Sequence, residues 1–347
     1  MTDFKLGYST GYWSAGPPAG ALAAIKEADR LGFDSFWTSE AYGSDCFTPL
    51  AWWGAETERI KLGTSITQMA ARTPAATAMS ALTLDHLSGG RFILGLGASG
   101  PQVVEGWYGQ PYPRPLERTR EYVQIVRDII RREGPVEFHG KHYDMPYTGD
   151  DGMGIGKALK ATVHPLRTEI PIFLGAEGPK NVSLAAEICD GWLPLFFSPN
   201  DDAWYRERLR IGFEASGEAD KADRFEVASM LTIIPGDDAE RCADLMRPMV
   251  ALYAGGMGAK NANFHFDVFA RMGWEEVALK VQALYLEGKK QEAAAAIPLA
   301  MVEDVALVGP VDKIRDDLAR WKETCLTTVL LSGRADQLAM LAELVNG

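Results

Sequence analysis

The stretch "LGLGASGPQVVEGW" at residues 94–107 contains a G-x-G-x-x-G pattern in Gly95, Gly97 and Gly100. It continues the apolar run "RFILGLG" at 91–97, which is typical of a buried strand. Such a pattern marks a dinucleotide-binding doubly wound sheet when it follows the first strand and an acidic residue ends the second. Here it follows the fourth predicted strand, and the acidic residues about 20 positions later, Glu117 and Glu121, fall in a helical pattern. The context favours a phosphate-binding loop in another α/β architecture.

Strands and helices alternate along the whole chain. Strands are predicted at 4–10, 33–40, 60–67, 91–97, 170–179, 191–199, 225–235 and 327–333. Helices are predicted at 19–32, 49–59, 73–90, 115–133, 180–190, 238–256, 308–325 and 335–345. This alternation predicts a parallel sheet covered by helices, and eight βα units are the count of a (β/α)8 TIM barrel.

Two segments interrupt the alternation. The first is a predicted hairpin at 136–146 that is followed by a glycine-rich loop at 149–157. The second is a helical insertion at about 257–297, which we expect to cover the mouth of the pocket. The sequence therefore predicts one barrel domain over residues 1–347, with insertions after strands 4 and 7.

Composition restricts the classes of partner. The formal net charge is −12, which argues against a nucleic-acid or anionic membrane surface because both require a basic face. No apolar run reaches the ~18 residues of a membrane span, and the N-terminus "MTDFKLGYST" lacks a signal-peptide pattern. The four cysteines form no C-x-x-C motif, which is typical of a reduced compartment. We expect a cytoplasmic protein that acts on a small molecule.

The active site of such a barrel lies at the carboxyl ends of its strands. Two of these ends are glycine-rich loops, "GLGASG" at 95–100 and "GAEGPK" at 175–180, whose backbone N–H groups suit an anion. The same glycines also suit a simple tight turn. No His, Cys and carboxylate residues occur at metal-ligand spacing, so no metal site is predicted. Aromatic residues dominate the other ends: Tyr12, Trp13, Trp37, Tyr42, Trp52, Trp53, Trp107, Tyr108, Phe196 and Phe197. A phosphate-binding loop with few reactive side chains suggests that a cofactor carries the chemistry.

Three segments in order carry a family resemblance: "GFDSFWTSE" at 32–40, "IKLGTSITQMAARTPAATAMSALTLDHLSGGRFILGLGASG" at 60–100, and "IPIFLGAEGPKNVSLAAEICDGWLP" at 170–194. They resemble the bacterial luciferase-like family and, within it, the coenzyme F420-dependent oxidoreductase branch. That branch includes methylenetetrahydromethanopterin reductase and F420-dependent glucose-6-phosphate dehydrogenase. The resemblance implies a homodimeric TIM-barrel enzyme. It would transfer a hydride between C5 of the deazaflavin and a carbonyl, imine, activated alkene or alcohol.

The resemblance also implies residue roles. The acidic residue that ends strand 2 falls on Glu40, which would contact the deazaflavin. A carboxylate beside an apolar ring can have a raised pKa and donate a proton, so Glu40 is either the proton relay or only a hydrogen-bond partner of the ring. A non-prolyl cis peptide bond that backs the ring falls on Ser65–Ile66. The loops after strands 4 and 5 would hold the tail phosphate and the ring edge. The implied cofactor-binding residues are Glu40, Ser65, Ile66, Thr67, Gly97, Ala98, Ser99, Gly100, Gly175, Ala176, Glu177 and Gly178. Arg72, Arg114, Arg118 and Lys180 either pair with the anionic cofactor tail or are solvated surface charges.

The chain departs from both named relatives. Ala41 stands where the sugar-phosphate dehydrogenase has a histidine, and that enzyme's acid after strand 4 falls near Gly100 and Pro101. Ser9 stands where the reductase has a glutamate. Neither substrate is therefore carried over. Two alternatives stay open: an FMN-dependent luciferase-like monooxygenase, and a non-catalytic F420-binding protein. The acid at the end of strand 2 favours the F420 branch over the FMN one.

Overall fold

Eight parallel strands close into a barrel in the computed structural model, which describes residues 3–258 and 263–347. The strands are β1 (Lys5–Ser9), β2 (Ser35–Thr38), β3 (Lys61–Thr64), β4 (Phe92–Gly97), β5 (Ile172–Gly175), β6 (Gly191–Leu193), β7 (Glu226–Met230) and β8 (Thr328–Leu331). Their order is β3-β2-β1-β8-β7-β6-β5-β4, and pairing of β3 with β4 closes the ring. The predicted (β/α)8 TIM barrel is confirmed.

Helices cover the outside of the barrel and build the insertion after β7. They are α1 (Ala21–Leu31), α2 (Phe47–Gly54), α3 (Pro74–Leu87), α4 (Pro101–Gly106), α5 (Pro115–Arg131), α6 (Pro179–Ile188), α7 (Asp202–Ser216), α8 (Lys221–Arg224), α9 (Ala239–Ala243), α10 (Arg247–Ala251), α11 (Phe264–Phe269), α12 (Glu275–Leu286), α13 (Lys290–Ala295), α14 (Leu299–Glu303), α15 (Val311–Trp321) and α16 (Ala335–Asn346). Local sequence explains their ends. Thr73 caps the start of α3 through its side chain, and Gly32, at φ 82°, ends α1.

The barrel interior is filled by a small apolar cluster. It consists of Trp37, Ile93, Phe173, Leu193, Ala228 and Leu330. The Trp37 and Phe173 rings lie 5.7 Å apart, and a Cβ atom at Gly63 would collide with the Trp37 ring. Ile66 and Met230 follow or end their strands and pack on this cluster. Because they stand at the carboxyl ends of the strands, which we call the upper end of the barrel, they form the floor of any pocket there.

The insertion after β7 differs from its predicted form. The predicted strand 225–235 divides at Leu231: Thr232–Pro235 leaves the barrel and pairs in parallel with Ala306–Gly309, a strand that overlaps the start of the helix predicted at 308–325. The predicted helix 238–256 is broken, with α10 restarting at Arg247, because Pro248 cannot donate to an upstream carbonyl. The predicted strand 191–199 ends at Leu193, before Pro194. Residues 259–262 of the predicted insertion lie outside the described residues.

The insertion after β7 has an apolar core of its own, which includes Met246, Val250, Phe269, Val281 and Val302.

The insertion after β4 contains a hairpin. Its predicted hairpin is confirmed as Phe138–His139 paired with Asp144–Met145. The hairpin packs on the outside of α5, where the Tyr143 ring meets the Tyr122 ring edge-on at 5.9 Å. In the described part of the chain, no helix is both long and apolar enough to cross a membrane.

Candidate active site

Glu40 follows β2 at the upper end and is only 4% exposed. Its Oε2 atom accepts hydrogen bonds from the Gln68 backbone N–H and from Nη1 of Arg72, both at 2.8 Å. The Gln68 side-chain amide donates to the Glu40 backbone carbonyl at 3.2 Å. Burial lowers the pKa of Arg72, but the hydrogen bond and charge of Glu40 outweigh it and raise that pKa. Glu40 and Arg72 therefore form a charged pair at the edge of the cavity.

The peptide bond between Ser65 and Ile66 is cis, as the family resemblance predicts. The Ile66 side chain packs against the last residues of β4 and β5, Gly97 and Gly175. A Cβ atom at Gly97 would collide with Ile66 Cδ1, and one at Gly175 would lie 3.0 Å from Ile66 Cγ2. Packing of Ile66 thus explains glycine at both positions. Their contact with a cofactor stays a prediction.

Side chains of other segments lie close to the loop after β4, so little space remains beside its backbone. Ser99 adopts φ 58°, a left-handed conformation that is uncommon for a residue with a side chain, and its carbonyl accepts a hydrogen bond from the Tyr112 hydroxyl at 2.8 Å. A Cβ atom at Gly100 would lie 3.3 Å from Gln102 Oε1 and 3.7 Å from the Phe264 ring. Phe264 belongs to α11, so the insertion after β7 reaches across to this loop.

The loop after β5 is open by comparison. Gly178 precedes α6, and no side chain caps that helix. A Cβ atom at Gly178 would meet no atom of the described residues within 4 Å, and its φ of −77° is accessible to any residue. The Ala176 carbonyl accepts a hydrogen bond from Trp192 Nε1 at 2.8 Å. This loop therefore has a free N-terminal helix turn and empty space in front of it.

Four side chains at the upper end, which we call the mouth cluster, lie near one another: Tyr12, Glu177, Tyr253 and His265. Tyr12 is 48% exposed, yet desolvation raises the pKa of its hydroxyl. The Tyr253 and His265 rings meet edge-on at 4.8 Å, and the Phe196 ring lies 5.3 Å from Tyr253.

Glu177 and His265 of the mouth cluster also have displaced pKa values. Burial raises the pKa of Glu177 to about 7, against the opposing effects of a hydrogen bond from the Leu195 N–H at 2.8 Å and of the Arg271 charge. Burial lowers the pKa of His265 to about 4, so this imidazole is neutral at neutral pH. Within residues 3–258 and 263–347, its buried Nδ1 atom has no hydrogen-bond partner.

The sequence analysis missed several of these residues. Gln68 lies within the predicted strand end at residues 65–68 but was assigned no role, and Tyr253 and His265 lie in an insertion that periodicity could not position. Thr67, a predicted cofactor contact, is fully buried with its hydroxyl 3.1 Å from Cys46 Sγ. Its cofactor contact stays a prediction.

The basic side chains considered for the cofactor tail have different surroundings. Arg72 pairs with Glu40 and Arg114 with Glu117. Arg118 donates to the Pro111 carbonyl. Among the described residues, no group of three His, Cys, Asp or Glu side chains is placed to hold a metal ion.

The sequence and fold were compared with those of known proteins. The family model described as luciferase-like monooxygenase matches residues 4–328. The chain belongs to the luciferase-like monooxygenase family. The match covers the first seven barrel strands and the first residue of β8, so most of the strand ends that form the upper end lie within it.

Relatives within the family include two of direct interest. A Mycobacterium tuberculosis protein, provisionally named a coenzyme F420-dependent oxidoreductase, is 52% identical over 342 residues, or 98% of this chain and 99% of that protein. The 5,10-methylenetetrahydromethanopterin reductase of Archaeoglobus fulgidus is 30% identical over 233 residues, covering 67% of this chain and 65% of the reductase.

A solved structure has the same fold. The coenzyme F420-dependent tetrahydromethanopterin reductase of Methanopyrus kandleri superposes with a TM-score of 0.79 at 23% identity, covering 99% of both chains. At this identity the superposition supports the barrel architecture alone.

Proposed function

We propose that this protein is a coenzyme F420-dependent oxidoreductase that transfers a hydride between the deazaflavin and a small organic substrate. The observation that carries the proposal is Glu40, a buried carboxylate that ends β2 where the resemblance places the acid of the F420 branch. The M. tuberculosis relative, 52% identical over nearly the whole chain, supports the same cofactor. The homodimer implied by the resemblance stays a prediction.

The cavity fits such a cofactor in two respects. Gln68 Oε1 is buried beside Glu40 and lacks a hydrogen-bond partner among the described residues, so it is free to accept from a ligand N–H. Gly178 and the uncapped start of α6 leave backbone N–H groups and open space for a phosphate. Gln68 would thus hold a polar N–H of the cofactor, and the start of α6 would hold its phosphate.

The residues of the chain orient the cofactor and exclude water. Ile66 and Met230 give the cavity an apolar floor. The Arg72 ion pair fixes the Glu40 carboxylate, and Glu40 in turn holds the backbone of Gln68. The bound deazaflavin supplies hydride transfer at C5. The protein contributes positioning and a dry surface, which are the usual contributions to this kind of reaction.

A binding titration tests the proposal. The purified protein is titrated with F420 and, separately, with FMN while tryptophan fluorescence is followed. We expect micromolar F420 affinity and much weaker FMN binding. A preference for FMN would contradict the proposal and favour an oxygen-using monooxygenase.

Replacement of Gly178 by leucine is expected to weaken F420 binding by at least about tenfold, because the new side chain would fill the space assigned to the phosphate. The protein itself tolerates this side chain, since no atom lies within 4 Å of the Cβ position. Gly134→Leu is the matched control, because Gly134 has equally open surroundings just after α5. Equal F420 affinities for the two variants would remove the β5 loop from the cofactor site.

A further inference from the structure

The Glu177 carboxylate is held by one backbone hydrogen bond, and its buried surroundings stabilise the ionised form only weakly. Oε1 accepts the Leu195 N–H, and no described residue donates to Oε2. This contrasts with Glu40, whose Oε2 atom faces a guanidinium. Glu40 Oε2 is therefore already engaged by Arg72, whereas Glu177 has one oxygen available to carry and exchange a proton.

Glu177 follows the end of β5, the strand that packs against Ile66 at the upper end of the barrel. It lies two residues after Gly175, whose Cβ position is 3.0 Å from Ile66 Cγ2. The backbone that receives its hydrogen bond, at Leu195, directly precedes Phe196, and the Phe196 ring packs on Tyr253. The carboxylate is thus at the junction of the β5 loop, the β6 end and the insertion.

The charged and titratable groups that face Glu177 come from three elements. Arg271, in the turn after α11, directs its Nε atom at Asp201 at 3.0 Å and stacks on the Trp204 ring at 3.9 Å, so its charge is already engaged. Tyr253 from the insertion and Tyr205 from α7 are both affected by the Glu177 charge, and burial raises the pKa of each. Both hydroxyls therefore remain protonated and neutral around it.

The rest of the mouth cluster is uncharged at neutral pH. The pKa of the Tyr12 hydroxyl is raised and that of His265 is about 4. Phe196 adds an apolar wall. An anionic substrate would meet no unpaired cation among these residues, whereas an uncharged molecule would bind without an unfavourable desolvation of charge.

We propose that Glu177 is the catalytic acid and base that exchanges a proton with the oxygen of an uncharged carbonyl or alcohol substrate. The proposal rests on the proposed F420-dependent function. In the reducing direction, a hydride joins the carbonyl carbon and the C=O π electrons move to oxygen. That oxygen takes the proton of Glu177, which becomes a carboxylate. The substrate gains the two electrons of the hydride, the reduced deazaflavin loses that hydride and releases one proton to the solvent, and Glu177 regains one proton from the solvent.

The first test needs no cofactor. Full-length protein labelled with carbon-13 at glutamate Cδ is titrated by NMR, alongside Glu177→Gln and the distant control Glu343→Gln on α16. We expect one carboxyl resonance with a midpoint near pH 7, absent only from Glu177→Gln. A midpoint near the ordinary glutamate value, or persistence of the resonance in Glu177→Gln, would overturn the proposal.

The second test measures turnover of reduced F420 with cyclohexanone, cyclohex-2-enone and benzaldehyde. We expect wild-type rates to fall as the pH rises above about 7, because the carboxyl group loses the proton that it must donate. Glu177→Gln should be at least about tenfold slower at lower pH, without that pH dependence, while its F420 affinity is unchanged. Rates within twofold of wild type would overturn the role of Glu177, and no turnover of all three probes would overturn the substrate class. Failure to bind F420 is seen separately in the titration and overturns the proposed function together with this role.

Discussion

Replacement of Arg72 by methionine is expected to lower the free energy of unfolding by about 3 kcal/mol, because it leaves a buried carboxylate without its cation. Glu40 is 4% exposed, and its Oε2 atom would keep only the Gln68 N–H as a donor. The Arg72 side chain itself is 20% exposed, so water partly replaces it, and we therefore take the lower end of the range for broken buried pairs. Urea unfolding at neutral pH measures the change.

Two comparisons isolate the charge effect. The double variant Glu40→Gln with Arg72→Met removes both charges and should recover much of the loss, because no buried charge is left unpaired. Arg210→Met breaks an exposed arginine–glutamate pair on α7 and should change stability little. If Arg72 instead served the cofactor tail, Arg72→Met would weaken F420 binding while the free energy of unfolding stayed unchanged. That result would contradict the prediction.

Much of the barrel could be predicted from local sequence. Each strand is a short apolar run that ends near a glycine or polar residue, and each helix has an amphipathic or alanine-rich pattern with its own start and stop signals. The site followed from the fold, because parallel strands bring their carboxyl ends to one edge. That rule predicts that Glu40, Ile66 and the two glycine loops lie at one end of the barrel.

The insertion after β7 resisted prediction because its pairing is non-local. Nothing within Thr232–Pro235 distinguishes a barrel strand from one that leaves the barrel, and its partner Ala306–Gly309 is about seventy residues away. The Pro248 break was visible in the sequence, but it could not indicate where Tyr253 would lie. Glycine was also ambiguous: at Gly97 it admits the Ile66 side chain, whereas at Gly178 it borders open space.

The protonation of Glu177 was likewise invisible in the sequence. The residue was predicted as a cofactor contact because of its place in "GAEGPK". Its pKa depends on Leu195, Arg271 and the surrounding burial, which distant segments provide. Because burial raises this pKa, the stability of the folded protein should depend on the ionisation of Glu177.

Glu177→Gln is expected to stabilise the protein at alkaline pH. Folding raises the pKa of this acid from 4.5 to about 7, so the folded state binds the proton more tightly than the unfolded state. The stabilising contribution of that proton is fully present below about pH 4.5 and is lost as the pH rises through about 7. By about pH 8 the wild type has lost about 3 kcal/mol that the glutamine variant retains, which corresponds to a melting temperature about 4 °C lower for a chain of this length.

Thermal unfolding of both proteins at about pH 5 and about pH 8 tests the sign, since the difference should be small at the lower pH and large at the higher one. Glu343→Gln, with its exposed side chain on α16, should match the wild type at both pH values. A glutamine variant that is less stable at the higher pH would show that the ionised Glu177 carboxylate stabilises the fold. A difference that is constant with pH would show that Glu177 acts only through its hydrogen bond to Leu195. The expected pattern instead makes Glu177 a carboxyl group held at the cost of stability, as is common for groups that function in proton transfer.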